Sequence, residues 1–206
     1  ASQACIALAC SLLGCSFVSG TKSALGNKKI GVTHTVRAGG DASGAGKVSS
    51  IDRSWLPRQT IGAMDFPGFA SPESICFIAQ SSGTTGETKF LPITAHAQWR
   101  RHMQTPFEYL DGKPPVVCSR MPLLSVFGLE YVLEPLMLGG TIVISDDLNF
   151  MASAGVNTVV GSPSQHMHLC EQTLPSAKIK CAVVGGGHCS DRLFDSLLER
   201  FDFVQH

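Results

Sequence analysis

From residue 116 onward, short apolar runs rich in β-branched residues alternate with segments of helical composition, and this alternation constrains the fold more than any other feature. Val116-Val117-Cys118, Thr141-Ile142-Val143-Ile144, Val156 to Val160 and Ile179 to Val184 have the length and composition of strands. Among them, Gly128 to Met137, Ser164 to Gln172 and Ser190 to Phe201 read as helices. Strand, helix and strand in succession join parallel neighbours, because a parallel pair needs a crossover. The expectation is an α/β fold, layered αβα, with a mostly parallel sheet.

The first part of the chain is less regular. Residues 3 to 13 read as a helix that Gly14 stops, and Cys15-Ser16-Phe17-Val18 as a short strand. Lys29 to Val36 is a second strand candidate, and Ala38 to Gly46 has too little apolar surface to order itself, so a flexible loop is expected at about residues 38–48. Ile75-Cys76-Phe77-Ile78-Ala79 reads as a buried strand. Residues 94 to 109 read as a helix capped by Thr94, with Trp99, Met103 and Phe107 on one face.

Composition excludes several classes of partner. With 206 residues, 44% apolar and 16% charged, the chain is long enough for a substantial core. A formal net charge of +0, with no basic cluster longer than Trp99-Arg100-Arg101-His102, removes the electrostatic footprint of a nucleic-acid or anionic-membrane binder. The segment from Ala4 to Val18 is apolar, yet it lacks a basic start and is too short to span a bilayer. The eight cysteines form no Cys-x-x-Cys pair and sit mostly in apolar segments, which reads as reduced core thiols in a cytoplasmic protein.

The chemistry concentrates in Ser81-Ser82-Gly83-Thr84-Thr85-Gly86-Glu87-Thr88-Lys89, which follows the strand at residue 75. Gly83 and Gly86 let successive N–H groups turn toward one anion. The hydroxyls of Ser81, Ser82, Thr84 and Thr85 can donate to phosphate oxygens, and Lys89 adds a mobile positive charge, so the run reads as a polyphosphate cradle. A surface loop is the bland alternative, and the Walker A order fails because no Gly-Lys-Ser/Thr occurs. A second glycine run, Gly185-Gly186-Gly187, follows a strand and precedes a helix. It reads either as a plain tight turn or as a backbone open to a flat ring or phosphate, and only weakly as a dinucleotide fingerprint, since Ser190 stands at the third glycine. His166-x-His168-x-Cys170 does not make a metal site, because on a helix His168 points away from the other two. No nucleophile elbow is present, and no cysteine stands out as reactive.

The loop at residues 81–89 resembles the AMP-binding signature of the adenylate-forming superfamily, which includes acyl- and aryl-CoA synthetases, luciferases, fatty acyl-AMP ligases and nonribosomal peptide synthetase adenylation domains. Thr88 stands where that signature has Pro and Phe90 where it has Gly. The resemblance implies that Ser81, Ser82, Gly83, Thr84, Thr85, Gly86 and Lys89 hold the β- and γ-phosphates of ATP. It implies that Gly185, Gly186, Gly187 and His188 stack on adenine and border the acyl pocket, with His188 in place of a small residue. Met121 to Leu129 is similar to the next family motif with Ser125 where a His is usual, and Ser125 and Gly128 are carried over as substrate-pocket residues, with Gly161 and Ser164. A turn without ligand role remains the other reading of Ser125.

The family usually continues after the last helix into a strand and a Tyr-Gly-x-Thr-Glu motif whose Glu helps hold Mg²⁺. That motif, the ribose-binding Asp and the C-terminal lid with its catalytic Lys do not occur in residues 1–206. The resemblance therefore implies the central part of a large N-terminal domain. Its expected function is ATP-dependent activation of a carboxylic acid, with transfer to coenzyme A or a carrier-protein thiol, and little activity from these residues alone. A non-catalytic nucleotide-binding module is the alternative, and an oxidoreductase a weaker third.

Overall fold

The structure, a computed structural model, describes residues 2–18, 32, 34–38, 47–51, 68–82, 88–103, 107–122, 125–173 and 179–206. Helix α1 (Ser2–Leu12) is stopped by Gly14 at φ +69°, where a Cβ would strike the Gly68 carbonyl, and the short strand β1 (Phe17–Val18) follows. Strands β2 (His34–Ala38) and β3 (Lys47–Ile51) pair with each other in parallel. Strand β4 (Ile75–Ser82) lies between β1, parallel to it, and the antiparallel β5 (Thr88–Thr94), which leads directly into helix α2 (Ala95–Met103).

A 3-10 turn at Glu108–Leu110 precedes the parallel half of the molecule. There β6 (Val116–Ser119), α3 (Val126–Met137), β7 (Thr141–Val143), α4 (Leu148–Ser153), β8 (Thr158–Gly161), α5 (Pro163–Cys170), β9 (Cys181–Val184), α6 (Asp191–Leu198) and β10 (Phe203–Gln205) alternate. The five strands are all parallel, in the order β10-β9-β8-β6-β7. Each helix starts on a side chain that satisfies an otherwise orphaned N–H. Ser125 caps α3, Asp147 caps α4 and Ser190 caps α6, while Ser162 and Gln165 form a capping box on α5 with Pro163 inside its first turn.

Successive side chains of a strand point to opposite faces, and here each face has its own core. Val117, Val160, Cys181 and Val183 pack with Phe107, Leu110 and Tyr131. Their neighbours Cys118, Val159, Ala182 and Val184 pack with Leu148 and Met151 of α4, Leu169 of α5 and Leu193 and Leu197 of α6. Because both faces are buried, these strands read in sequence as continuous apolar runs.

Helix α3 is mostly apolar and buried on two sides, with Glu130 and Glu134 also buried, because it serves two sheets. Phe127 and Tyr131 face the five-stranded sheet, whereas Leu129 and Leu133 pack on Cys76, Phe77 and Ala79 of β4 and Ala7 of α1. Each pair is four residues apart, one turn along its own stripe. The layered αβα arrangement is thus present, with the β1-β4-β5 sheet as a further layer beyond α3.

Several expectations need correction. Ala38 and residues 47–48 lie in strands rather than in a loop, and residues 39–46 fall outside those described. Ser81 and Ser82 belong to β4, and the unanticipated strand β5 intervenes before the helix. That helix ends at Met103, so Phe107 does not share its face and instead enters the core of the parallel sheet. Helix α4 was not expected, and the strand that the resemblance places after the last helix is β10, within residues 1–206. All eight cysteines are free, but only Cys76, Cys118, Cys181 and Cys189 are buried.

Candidate functional site

The strand order places a site before any side chain is considered. From β6 the chain goes to β7 on one side and then returns to β8 on the other. The carboxyl ends of β6 and β8 therefore flank the topological switch point, where open parallel sheets bind ligands.

The residues leaving those strand ends converge. Beyond β9, Gly186 takes φ +76°, a conformation that favours glycine, and Gly186, Gly187 and His188 are exposed. A Cβ on Gly185 would lie 2.4 Å from the Phe127 ring, and one on Gly186 2.9 Å from Met121 Cε. On Gly187 it would meet only Pro163 of α5, at an ordinary 3.5 Å. The turn thus presents backbone to solvent at its tip while Phe127 and Met121 pack against its base. Sequence reasoning did not single out either residue; an aromatic before Gly128 carries no local signal that it lies over a glycine 58 positions away.

Ser125 and Gly128 open α3 at the same edge. Ser125 Oγ donates to the Pro122 carbonyl at 2.8 Å and accepts from Gly128 N–H at 2.9 Å, so its hydroxyl is engaged as a helix cap. Gly128 is buried, and any Cβ there would lie 2.2 Å from the Pro122 oxygen. Gly161 is also buried, against His166 and Gln165, whereas Ser164 is exposed on the first turn of α5 with its hydroxyl 3.0 Å from that of Ser162.

An ion-pair and amide bracket closes the switch point on the α5 side. Arg120, nearly buried, donates from Nε to Asp146 at 2.8 Å and from Nη1 to the Gln165 carbonyl at 2.7 Å. Gln165 Nε2 returns a bond to the Arg120 carbonyl at 2.7 Å, and its Oε1 accepts from Ser162 N–H. The guanidinium is consumed in holding β6, the segment after β7 and α5 together.

Of the residues expected to hold phosphate, Ser81, Ser82 and Lys89 lie at the end of the paired strands β4 and β5. Ser81 is directly opposite Lys89, and Ser82 opposite Thr88. Lys89 is exposed; Gly83, Thr84, Thr85 and Gly86 lie outside the described residues. Both sides of the hairpin are hydrogen-bonded strand, anchored by the buried Cys76, Phe77 and Ala79. Lys89 is therefore carried on paired strand.

No activated nucleophile or metal centre appears among the described residues. Burial raises the thiol pKa of Cys10, Cys76, Cys118, Cys170 and Cys189, and pushes that of Cys181 up to about 11, away from the thiolate. No group of three His, Cys, Asp or Glu side chains among them converges on one point, so no residue is assigned to a metal. His166 is fully buried and His168 instead lies 3.3 Å from Glu171, as the helical spacing implied. An apolar groove of about 620 Å³ opens between α1, α2 and α3, lined by Leu8, Leu12, Phe69, Trp99, Leu133 and Met137 among others; no described candidate residue lines it.

A model of the AMP-binding enzyme family matches residues 14–206, a span that includes both the hairpin and the glycine turn. The chain belongs to that family. No curated protein matches it. Among solved structures, this AMP-binding family chain is similar to o-succinylbenzoate CoA synthetase of Bacillus subtilis bound with a product analogue, at 19% identity and TM-score 0.78, over 98% of the chain and 45% of that protein. It is similar to the N-terminal subdomain of Klebsiella oxytoca NpsA in complex with 3-hydroxybenzoyl-AMSN, at 18% identity and TM-score 0.73, over 97% and 54%. A malonyl-CoA ligase with methylmalonyl-CoA and AMP bound matches at 21% identity and TM-score 0.72, over 97% and 47%. At these identities the likeness establishes the fold, and the chain spans about half the length of such relatives. No helix among the described residues is long and apolar enough to cross a membrane.

Proposed function

We propose that these residues form the central part, about residues 1–206, of the large ATP- and substrate-binding domain of a ligase that activates a carboxylic acid with ATP. The observation that carries the reading is the hairpin: a run of hydroxyls and glycines closed by an exposed Lys89, mounted on paired strands, in a chain whose family is AMP-binding. A carboxylate oxygen attacks the α-phosphorus, and the electron pair of the breaking P–O bond leaves on pyrophosphate. Negative charge grows on the departing group, and a fixed cation near it lowers the barrier. In this reading Ser81, Ser82, the loop residues 83–86 and Lys89 bind the β- and γ-phosphates. The glycine turn, free of side chains at Gly186 and Gly187, admits the flat face of adenine, with His188 beside it. Ser125, Gly128, Gly161 and Ser164 belong to the substrate side, the buried glycines by allowing close backbone packing and the serines by setting the first turns of α3 and α5.

ATP comes with Mg²⁺, whose carboxylate ligand is expected outside these residues. The second half-reaction, attack of a thiol on the acyl carbon with departure of AMP, is supported by likeness to two proteins described as CoA ligases. Coenzyme A and a carrier phosphopantetheine both fit as acceptors, and a cytoplasmic location fits the free cysteines. Ser125, with its hydroxyl engaged in the cap, has less freedom than a histidine to reorient between the two steps.

Carboxylate-dependent ATP–pyrophosphate exchange by the full-length gene product tests the reading. Lys89→Ala is expected to lower exchange about 100-fold, the usual scale for one donor at a developing charge. Because Lys89 is exposed, its melting temperature should stay close to that of the parent. Exchange absent from both proteins, with nucleotide still bound, would instead support the non-catalytic module. Exchange by residues 1–206 alone is expected to be negligible.

A further inference from the structure

We infer that His166 is a positioning residue for the glycine turn at residues 185–187, an inference that rests in part on the nucleotide reading of that turn. The imidazole is completely buried at the junction of α5, β8 and β9. Its Nε2 lies 2.9 Å from the carbonyl oxygen of Val183, two residues before Gly185. A carbonyl only accepts, so Nε2 carries the proton and the ring is held as a single neutral tautomer. Burial lowers its pKa and so keeps the ring neutral, while Nε2 donates to Val183 in either protonation state.

Three observations set the contact apart from ordinary packing. First, Gly161 leaves the ring its place: a Cβ there would come within 3.3 Å of Nε2. Second, Nδ1 meets no hydrogen-bond partner among the described residues, a cost in free energy that a phenylalanine of similar shape would not carry. Third, the bond reaches across 17 residues to the strand end from which the turn departs. A side chain that is costly to bury and makes one directed bond is explained by what that bond orients. By fixing the Val183 carbonyl, His166 sets the direction in which β9 releases Gly185, Gly186 and Gly187. Phe127 and Met121 constrain the same turn from the α3 side, and His166 does so from the α5 side.

Two variants separate positioning from packing. His166→Phe keeps ring volume and removes the donor; His166→Gln keeps a neutral N–H donor. Hydrogen exchange of a peptide covering residues 184–188, measured on the chain without nucleotide, is expected to speed up about tenfold in His166→Phe and to be restored at least partly in His166→Gln. In the full-length gene product the apparent KM for ATP in pyrophosphate exchange is expected to rise at least fivefold in His166→Phe, with kcat changed less than twofold. Unchanged exchange of residues 184–188 in a folded His166→Phe protein overturns the inference. So does equal loss of protection throughout β8 and β9, which marks a packing defect. If His166→Phe does not fold, His166→Gln carries the test: parental protection supports the bond's role, and protection lost evenly through α5, β8 and β9 overturns it. Absence of ATP exchange in the parent would sink the ligase reading instead, while the nucleotide-free measurement still decides the role of His166.

Discussion

Residue by residue, the polar groups that matter most at the sheet edge are those whose partners are on the backbone. Ser125 illustrates this: one hydroxyl both donates to the Pro122 carbonyl and accepts from Gly128 N–H. Ser125→Ala removes the cap and is expected to cost about 1 kcal/mol in a urea melt. Ser125→Asp, which keeps an acceptor, should recover most of that. Glu130 shows the opposite economy. It is buried in α3 and paired with Arg101 of α2 at 2.8 Å. Desolvation raises its carboxyl to about 7, against the pull of Arg101 and with a further push from Glu134. A raised carboxyl pKa means that the folded state binds more protons than the unfolded state between about 4.5 and 7, so stability falls as pH rises through that window. Glu130→Gln is expected to flatten the dependence. Thermal melts at pH 5 and pH 8 check it: the variant should gain on the parent at pH 8 relative to pH 5.

Among the elements, α3 is where the two sheets meet, and this was only half legible. Its apolar composition marked Gly128 to Met137 as a helix, and the observed helix begins two residues earlier. What composition did not reveal is that Leu129 and Leu133 belong to one core and Phe127 and Tyr131 to another. Periodicity assigns a stripe to a partner but does not say which partner, and the polar residues of α3, Glu130 and Glu134, are themselves buried and so do not mark a solvent face. Leu133→Ala is expected to cost about 2 kcal/mol, measured by urea denaturation, because it removes apolar contact with Cys76, Phe77 and Ala79 and widens the groove that Leu133 lines. The missed strand β5 has a similar cause. Thr88-Lys89-Phe90-Leu91-Pro92-Ile93-Thr94 includes a proline and alternates weakly, so the sequence resembles a loop running into a helix. Only its pairing with β4, Ser81 opposite Lys89, makes it a strand.

At the scale of the molecule, the order β10-β9-β8-β6-β7 predicts a gradient of stability. Native-state hydrogen exchange should find the amides of β6, β8 and β9 most protected and those of the edge strands β7 and β10 less so, since central strands open only with the whole sheet. Exchange faster in β8 than in β10 would contradict this. The same order explains how much of the site the sequence could express. The hydroxyl- and glycine-rich run at residues 81–89, the glycine turn and the alternation that builds a parallel sheet are set by local composition, because hydroxyl donors, glycine torsions and apolar periodicity act within a few residues. The sequence by itself therefore determined the class of fold and pointed to the family, on which the proposed ligand rests. Strand order, the seating of Phe127 on Gly185 and the reach of His166 to Val183 were decided only in the tertiary structure. Each depends on which buried face finds which partner, and contacts between distant segments are settled by burial of the whole core rather than by any short stretch of chain.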